Sequence, residues 1–267
     1  MKELGVRAMT GAVYVALTLG AAWAGPFTTF MLYLPVCLVA LREIHLLYWG
    51  DQEAQPMVWT ILTGAMVYVA VAMGQFDNDW TFGYAAAVGF LMLLITVTWS
   101  LVRGQHDPAN SLGGSLTSLL LVALPFGLMV HFFHFGPWIF IGFMVLLWTN
   151  DTGAYLVGRA IGRTKLLPAV SPKKTVEGLL GGIALTLAVA WGIAQFHPEL
   201  KTIEWITVGT IIAITATLGD LLESAFKRAR GVKDSGTILP GHGGILDRFD
   251  GFLLAVPAVM LYLHLIR

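Results

Sequence analysis

Charge is scarce in this sequence. Asp, Glu, Lys and Arg make up 12% of its 267 residues, against about 25% in an ordinary soluble domain. With 57% hydrophobic residues and a mean hydropathy of +0.74, that shortage excludes an ordinary water-soluble domain and indicates a polytopic membrane protein. No sign of charge dominates either. Sixteen basic and sixteen acidic residues cancel, so bulk electrostatics gives no case for a nucleic-acid partner. Cysteine is nearly missing: Cys37 alone excludes an intramolecular disulfide, leaves the redox compartment open and, in an apolar run, reads as helix packing. Soluble domains, low-complexity tracts and convincing repeats are not visible.

What is present is a series of apolar windows long enough to cross a bilayer. They fall near 8–24, 27–45, 57–74, 82–102, 112–133, 137–158, 176–196, 203–224 and 252–266. The fold class expected is therefore all-α, with about nine transmembrane helices. Residues 1–136 form a bland N-terminal part of about five spans, and 137–267 carry the groups useful for chemistry. Pro125 and Pro257 lie inside spans and are expected to kink them. Residues 1–25 share features with a signal peptide, but a second apolar run follows at once and suits a helical hairpin better. With the N-terminus inside, the cytoplasmic side collects Lys2, Arg7, Arg42, Arg103, Arg159, Arg163, Lys165, Lys173, Lys174, Lys227, Arg228, Arg230, Lys233 and Arg248. That is fourteen of the sixteen cations, leaving Lys201 and Arg267 outside. The polar loops 159–175 and 225–251 then face the cytoplasm.

Asp151 and Asp220 stand out as acids embedded in spans. Each follows the start of its span by fourteen residues, at Pro137 and Ile206. At 1.5 Å per residue both lie about 21 Å in, at a common level where they could share a cation. Intramembrane acids are costly, so each is a candidate functional group, although a solvated helix end would also accommodate it. Glu223, Ser224 and Lys227 follow Asp220 at i+3, i+4 and i+7, on one face of a helix. Beyond them come Lys233-Asp234, Pro240-Gly241-His242-Gly243-Gly244 and Asp247-Arg248-Phe249-Asp250. Lys and Arg suit phosphate oxygens, Asp suits a divalent cation, and Gly243 and Gly244 would let backbone N–H groups approach phosphate. In the other loop, Ser171-Pro172 reads as a helix start beside Lys173 and Lys174, an anion site, with Glu177 placed to pair with Lys173. Gly178 and Gly182 form a GxxxG spacing for close helix packing. His131 and His134 have metal-like spacing but sit among phenylalanines, where packing is the expectation.

These residues resemble the signature of the phosphatidate cytidylyltransferase, or CDP-diacylglycerol synthase, family. The pattern is met by Ser224, Lys227-Arg228, Lys233-Asp234, Pro240, His242-Gly243-Gly244, Asp247-Arg248 and Asp250; the 171–178 segment and 151–158 are also similar to it. The resemblance covers the C-terminal half well and the first 136 residues only through length and span count. It implies an integral enzyme of the bacterial inner (plasma) membrane, acting from the cytoplasmic face. Its expected partners are CTP, phosphatidic acid and the lipid bilayer, and its expected cofactor is Mg²⁺, with a second cation allowed. A homodimer also fits it.

Under this reading Asp220 and Asp247 ligate metal, with Asp151 or Asp250 as a further ligand or a second-layer acceptor. Lys227, Arg228, Lys233 and Arg248 grip the triphosphate, with Asp234 beside them. Lys173 and Lys174, with Ser171, hold either the lipid phosphate or CTP, and Ser224 and His242 orient phosphate oxygens. The alternatives are a related nucleotide-dependent lipid enzyme, such as an isoprenoid-lipid cytidylyltransferase or a polyprenol kinase, and a transporter or channel built around intramembrane acids.

Overall fold

The computed structural model describes residues 2–50, 56–76, 82–102, 107–238 and 243–267. Side chains at 2–8, 82, 83, 85 and 108 are outside the description, and so are His242 and Pro240 of the signature, as well as Asp77, Asp79 and Arg103. The chain divides into two compact units, 1–131 with 230–248, and 132–229 with 249–267.

The first unit is built from α1 (Lys2–Ala24), α2 (Pro26–Trp49), α3 (Met57–Met73), α4 (Phe82–Val102) and α5 (Pro108–Ser118). A π-helical turn, Leu119–Ala123, joins α5 to α6 (Leu124–Phe135) without a break. The turn sits just ahead of Pro125, whose missing N–H and bulky ring disrupt the regular ladder there, so the chain absorbs the proline as a π-bulge. Gly25 turns the chain at φ 111°, a region disfavoured for side chains, and Pro26 opens the next helix with its φ already set. Packing is dense: the Phe30 and Tyr68 rings stack at 5.4 Å, and the Tyr68 hydroxyl donates to the Phe30 carbonyl at 2.7 Å. Cys37 is fully buried among these helices. His131 is held by the Val71 carbonyl at 2.6 Å, a structural contact rather than a metal site.

The second unit runs from the end of α6 through α7 (Pro137–Ile161), β1 (Lys165–Leu167), β2 (Ser171–Thr175), α8 (Val176–Phe196) and α9 (Thr202–Ala229). It closes with α10 (Leu246–Ile266) from Phe249 on. The hairpin β1–β2 pairs antiparallel, Lys165 with Thr175 and Leu167 with Ser171. It corrects the all-α expectation in one detail and the expected helix start at Ser171-Pro172 outright. The helix begins four residues later, where the Thr175 hydroxyl accepts the Gly178 N–H at 3.1 Å. Glu177 does not pair with Lys173: it accepts the backbone N–H groups of Arg163 at 3.0 Å and Thr164 at 3.1 Å, fastening the hairpin to the helix end.

Helices α7 and α8 approach through small residues. A Cβ at Gly178 would stand 2.8 Å from the Ala154 carbonyl, and one at Gly182 would stand 2.9 Å from Asn150 Oδ1, so the GxxxG spacing serves close packing. Each of the nine apolar windows contains a helix. Among the described residues six helices are long and apolar enough to span a membrane, and Met9–Ala24, Met57–Met73 and Ala86–Val102 are shorter apolar segments.

Candidate active site

Within the second unit, α7, the hairpin, α8 and α9 enclose a cavity of about 400 Å³. Asp151 and Asp220, singled out for their matching depth, both line it, as do Lys173 and Lys174 from β2 and Arg159 from the end of α7. The Lys174 ammonium meets Asp220 Oδ2 at 2.6 Å, and the Ser224 hydroxyl, one turn later on α9, donates to Asp220 Oδ1 at 3.2 Å. Both oxygens of Asp220 are thereby oriented, while the pair keeps 25% and 33% of its side-chain surface exposed. Asn150 Oδ1 is buried in the same wall and has no hydrogen-bond partner among the described residues, which leaves an acceptor for a ligand donor.

Asp250 comes to this region from α10. The two helices pack closely because Gly219 faces the Asp250 carbonyl and Gly251 faces Ala216, where a Cβ would stand 3.1 Å from the alanine methyl. The Asp250 carboxylate feels those of Asp220, Asp151 and Glu223, in that order. Glu223 is itself paired with Lys227 one turn along α9. Arg228 is exposed and its Nε donates to the Val170 carbonyl at 3.3 Å, which ties the end of α9 to the hairpin.

Asp247, Gly243, Gly244, Lys233, Asp234 and Arg248 belong to the first unit. Lys233, Asp234 and Arg248 are exposed there. Asp247 is buried and its Oδ2 accepts three hydrogen bonds, from Ser235 N at 2.8 Å, Ser235 Oγ at 3.0 Å and Gly244 N at 2.7 Å. Glu43 of α2 lies against the same loop, fully buried. Sequence reading passed over both Glu43 and Asn150. Glu43 sits inside the 27–45 window, so the same test that flagged Asp151 and Asp220 would have found it; nothing in the sequence distinguishes Asn150.

Among the described residues no group of three or more His, Cys, Asp or Glu could hold a metal ion. The donors nevertheless fit Mg²⁺ by type. It takes hard oxygen ligands, needs only one or two carboxylates, and completes its shell with water and phosphate. Asp220 already binds a cation, the Lys174 ammonium, in the wall of an open cavity.

Residues 5–266 match the profile of the cytidylyltransferase family. The chain belongs to that family. As a cytidylyltransferase it is an enzyme, a nucleotidyltransferase, and its apolar helices make it a membrane protein. The curated phosphatidate cytidylyltransferases of Staphylococcus haemolyticus and Staphylococcus saprophyticus are each 31% identical to it over 260 residues, covering 97% of this chain and 98% of the relative. The protein of the same name from Staphylococcus aureus strain COL is 30% identical over the same share.

Proposed function

We propose that this cytidylyltransferase transfers CMP from CTP to phosphatidic acid, the acceptor in its relatives' names, giving CDP-diacylglycerol and pyrophosphate. The observation that carries the reading is the Asp220–Lys174 pair in the wall of a cavity that also holds Asp151, Lys173 and Arg159. In this reaction an oxygen of the lipid phosphate attacks the α-phosphorus of CTP and its electron pair forms the new P–O bond. The bond to the bridging oxygen breaks, and that electron pair leaves with pyrophosphate. A phosphomonoester has a second pKa of about 6, so the attacking group is already mostly anionic near pH 7 and needs no protein base. The obstacle is repulsion between an anion and a triphosphate, which positioned cations lower.

When bound there, Mg²⁺ would supply positive charge against the phosphates and the departing pyrophosphate. Asp220 and Asp250 would hold it, with Asp151 as a further ligand or an acceptor for bound water and a second cation allowed; Asp250 replaces Asp247, the ligand expected from the sequence, because Asp247 Oδ2 already accepts three hydrogen bonds. Ser224 holds the Asp220 carboxylate through its hydroxyl. Lys173 and Lys174, with Ser171, hold phosphate at the hairpin side of the cavity; Lys227, Arg228, Lys233 and Arg248 are assigned to the triphosphate by the signature they belong to. Asp247, with Oδ2 engaged by three donors, organises its loop beside Gly243 and Gly244. The chain crosses the bacterial plasma membrane nine times with loops 159–175 and 225–251 in the cytoplasm, and it works as a homodimer.

The test offers purified protein Mg²⁺ and CTP labelled, in parallel samples, at the α- or the γ-phosphate, with phosphatidic acid, a polyprenyl phosphate or a polyprenol, each alone. The expected outcome is label in lipid and an equal amount of pyrophosphate with phosphatidic acid only. Label entering polyprenyl phosphate instead, or γ-phosphate passing to the polyprenol, would replace this acceptor with another.

A further inference from the structure

Glu43 is a carboxylate in an unexpected place. It lies on α2, in the half of the chain with the fewest polar groups, and is fully buried. Burying a carboxylate costs several kcal/mol unless donors replace its water. The donors here come from about two hundred residues away. Glu43 Oε1 accepts Ile245 N–H at 3.0 Å, and Oε2 accepts Leu246 N–H at 2.8 Å and the Ser235 hydroxyl at 2.9 Å.

Ile245 and Leu246 open α10, where backbone N–H groups have no partner inside the helix and the dipole favours a negative charge. Glu43 is therefore a long-range cap for the helix that carries Asp247 and Asp250. The loop is shaped to receive it. A Cβ at Gly236 would stand 2.5 Å from Glu43 Oε1, and Gly244 faces the same carboxylate. The lack of a side chain at Gly244 thus makes room for Glu43 and Ser235, whatever it also offers to phosphate. The Ser235 hydroxyl stands between Glu43 Oε2 at 2.9 Å and Asp247 Oδ2 at 3.0 Å. One hydroxyl hydrogen is shared between two buried carboxylates, so Ser235 couples the position of Glu43 to that of Asp247.

We propose that Glu43 is a positioning residue for cytidylyl transfer: through Ser235 and the N–H groups of Ile245 and Leu246 it sets the signature loop and the start of α10. Its effect on turnover rests on the reading given under Proposed function; its hold on the loop does not.

The test uses full-length wild type, Glu43→Gln, Glu43→Asp, Ser235→Ala and the Glu43→Gln/Ser235→Ala double variant in lipid nanodiscs. Gln matches Glu in shape but replaces one acceptor oxygen with a donor, so it cannot receive all three hydrogen bonds. Amide hydrogen exchange in the segment 243–247 should rise at least about tenfold in Glu43→Gln, with α7 and α8 unchanged. Per folded molecule, kcat should fall about tenfold or more while KM for CTP stays within about twofold, the split expected of a group that acts through others. Glu43→Asp should recover part of the loss. The double variant should cost less than the product of the singles, because both remove one shared contact. Wild-type exchange in Glu43→Gln, wild-type kcat, or a loss explained entirely by fewer folded molecules would each overturn the proposal. If wild type makes no nucleotide-linked lipid, the acceptor reading fails instead, and the exchange measurement alone still decides whether Glu43 holds the loop.

Discussion

The Lys174–Asp220 contact is 2.6 Å long, yet both side chains remain partly in solvent. Exposed pairs of this kind contribute about 0–1 kcal/mol to stability. Two opposite charges lining a cavity for so little stabilisation are better explained by what the cavity binds. Asp220→Asn should therefore lower kcat at least about a hundredfold, the scale of losing one charge-stabilising group, with the thermal midpoint almost unmoved. Steady-state rates and a melting curve on the same sample check both halves. Asp151 and Asp220 were legible in the sequence because a carboxylate in an apolar run is conspicuous. Glu43 obeys the same rule, but its neighbours Arg42 and His45 give it the look of a helix-end acid, and its partners lie 192 to 203 residues further along. No local pattern links residues so far apart. Asn150 gave still less to read, since an amide in a span has many structural uses and only the cavity around it singles it out.

At the level of elements, the apolar windows gave the helices, because nothing but a helix satisfies its own backbone over twenty apolar residues. The hairpin was not legible. Ser171-Pro172 satisfies local helix-start rules, and what overrides them is tertiary: Glu177 captures the backbone at 163–164, and Thr175 takes the cap. Thr175→Ala should cost about 1 kcal/mol, the usual loss of a threonine cap, seen as a lower thermal midpoint. The α7–α8 seam makes a sharper demand. Gly182→Leu would force side-chain atoms into Asn150 and Ala154, and overpacking of this kind costs about 1–3 kcal/mol. A thermal shift in detergent should show a larger drop for this variant than for Thr175→Ala. The seam also shapes the cavity wall through Asn150 and Ala154, so Gly182→Leu should impair turnover as well.

For the whole molecule, the proposed arrangement in the membrane rests on charge: were the chain to cross nine times, fourteen of its sixteen cations would fall on one side. Cys37 is buried, so it is a quiet background for single-cysteine labelling once changed to alanine. In sealed right-side-out vesicles an impermeant thiol reagent should modify Lys201→Cys and leave Lys165→Cys untouched until the membrane is opened; both positions are exposed. The family match over residues 5–266 shows the bland first half to be part of the same enzyme, although little in its sequence beyond length and span count indicated this. The central claim is cytidylyl transfer at the Asp220 cavity, and one measurement reaches it most directly. Wild type and Asp220→Asn, equally folded, are given α-labelled CTP, phosphatidic acid and Mg²⁺, and label in lipid is followed with time. The account predicts steady lipid labelling matched by pyrophosphate in wild type and almost none in the variant. Equal labelling by both proteins, or none by wild type, would contradict it.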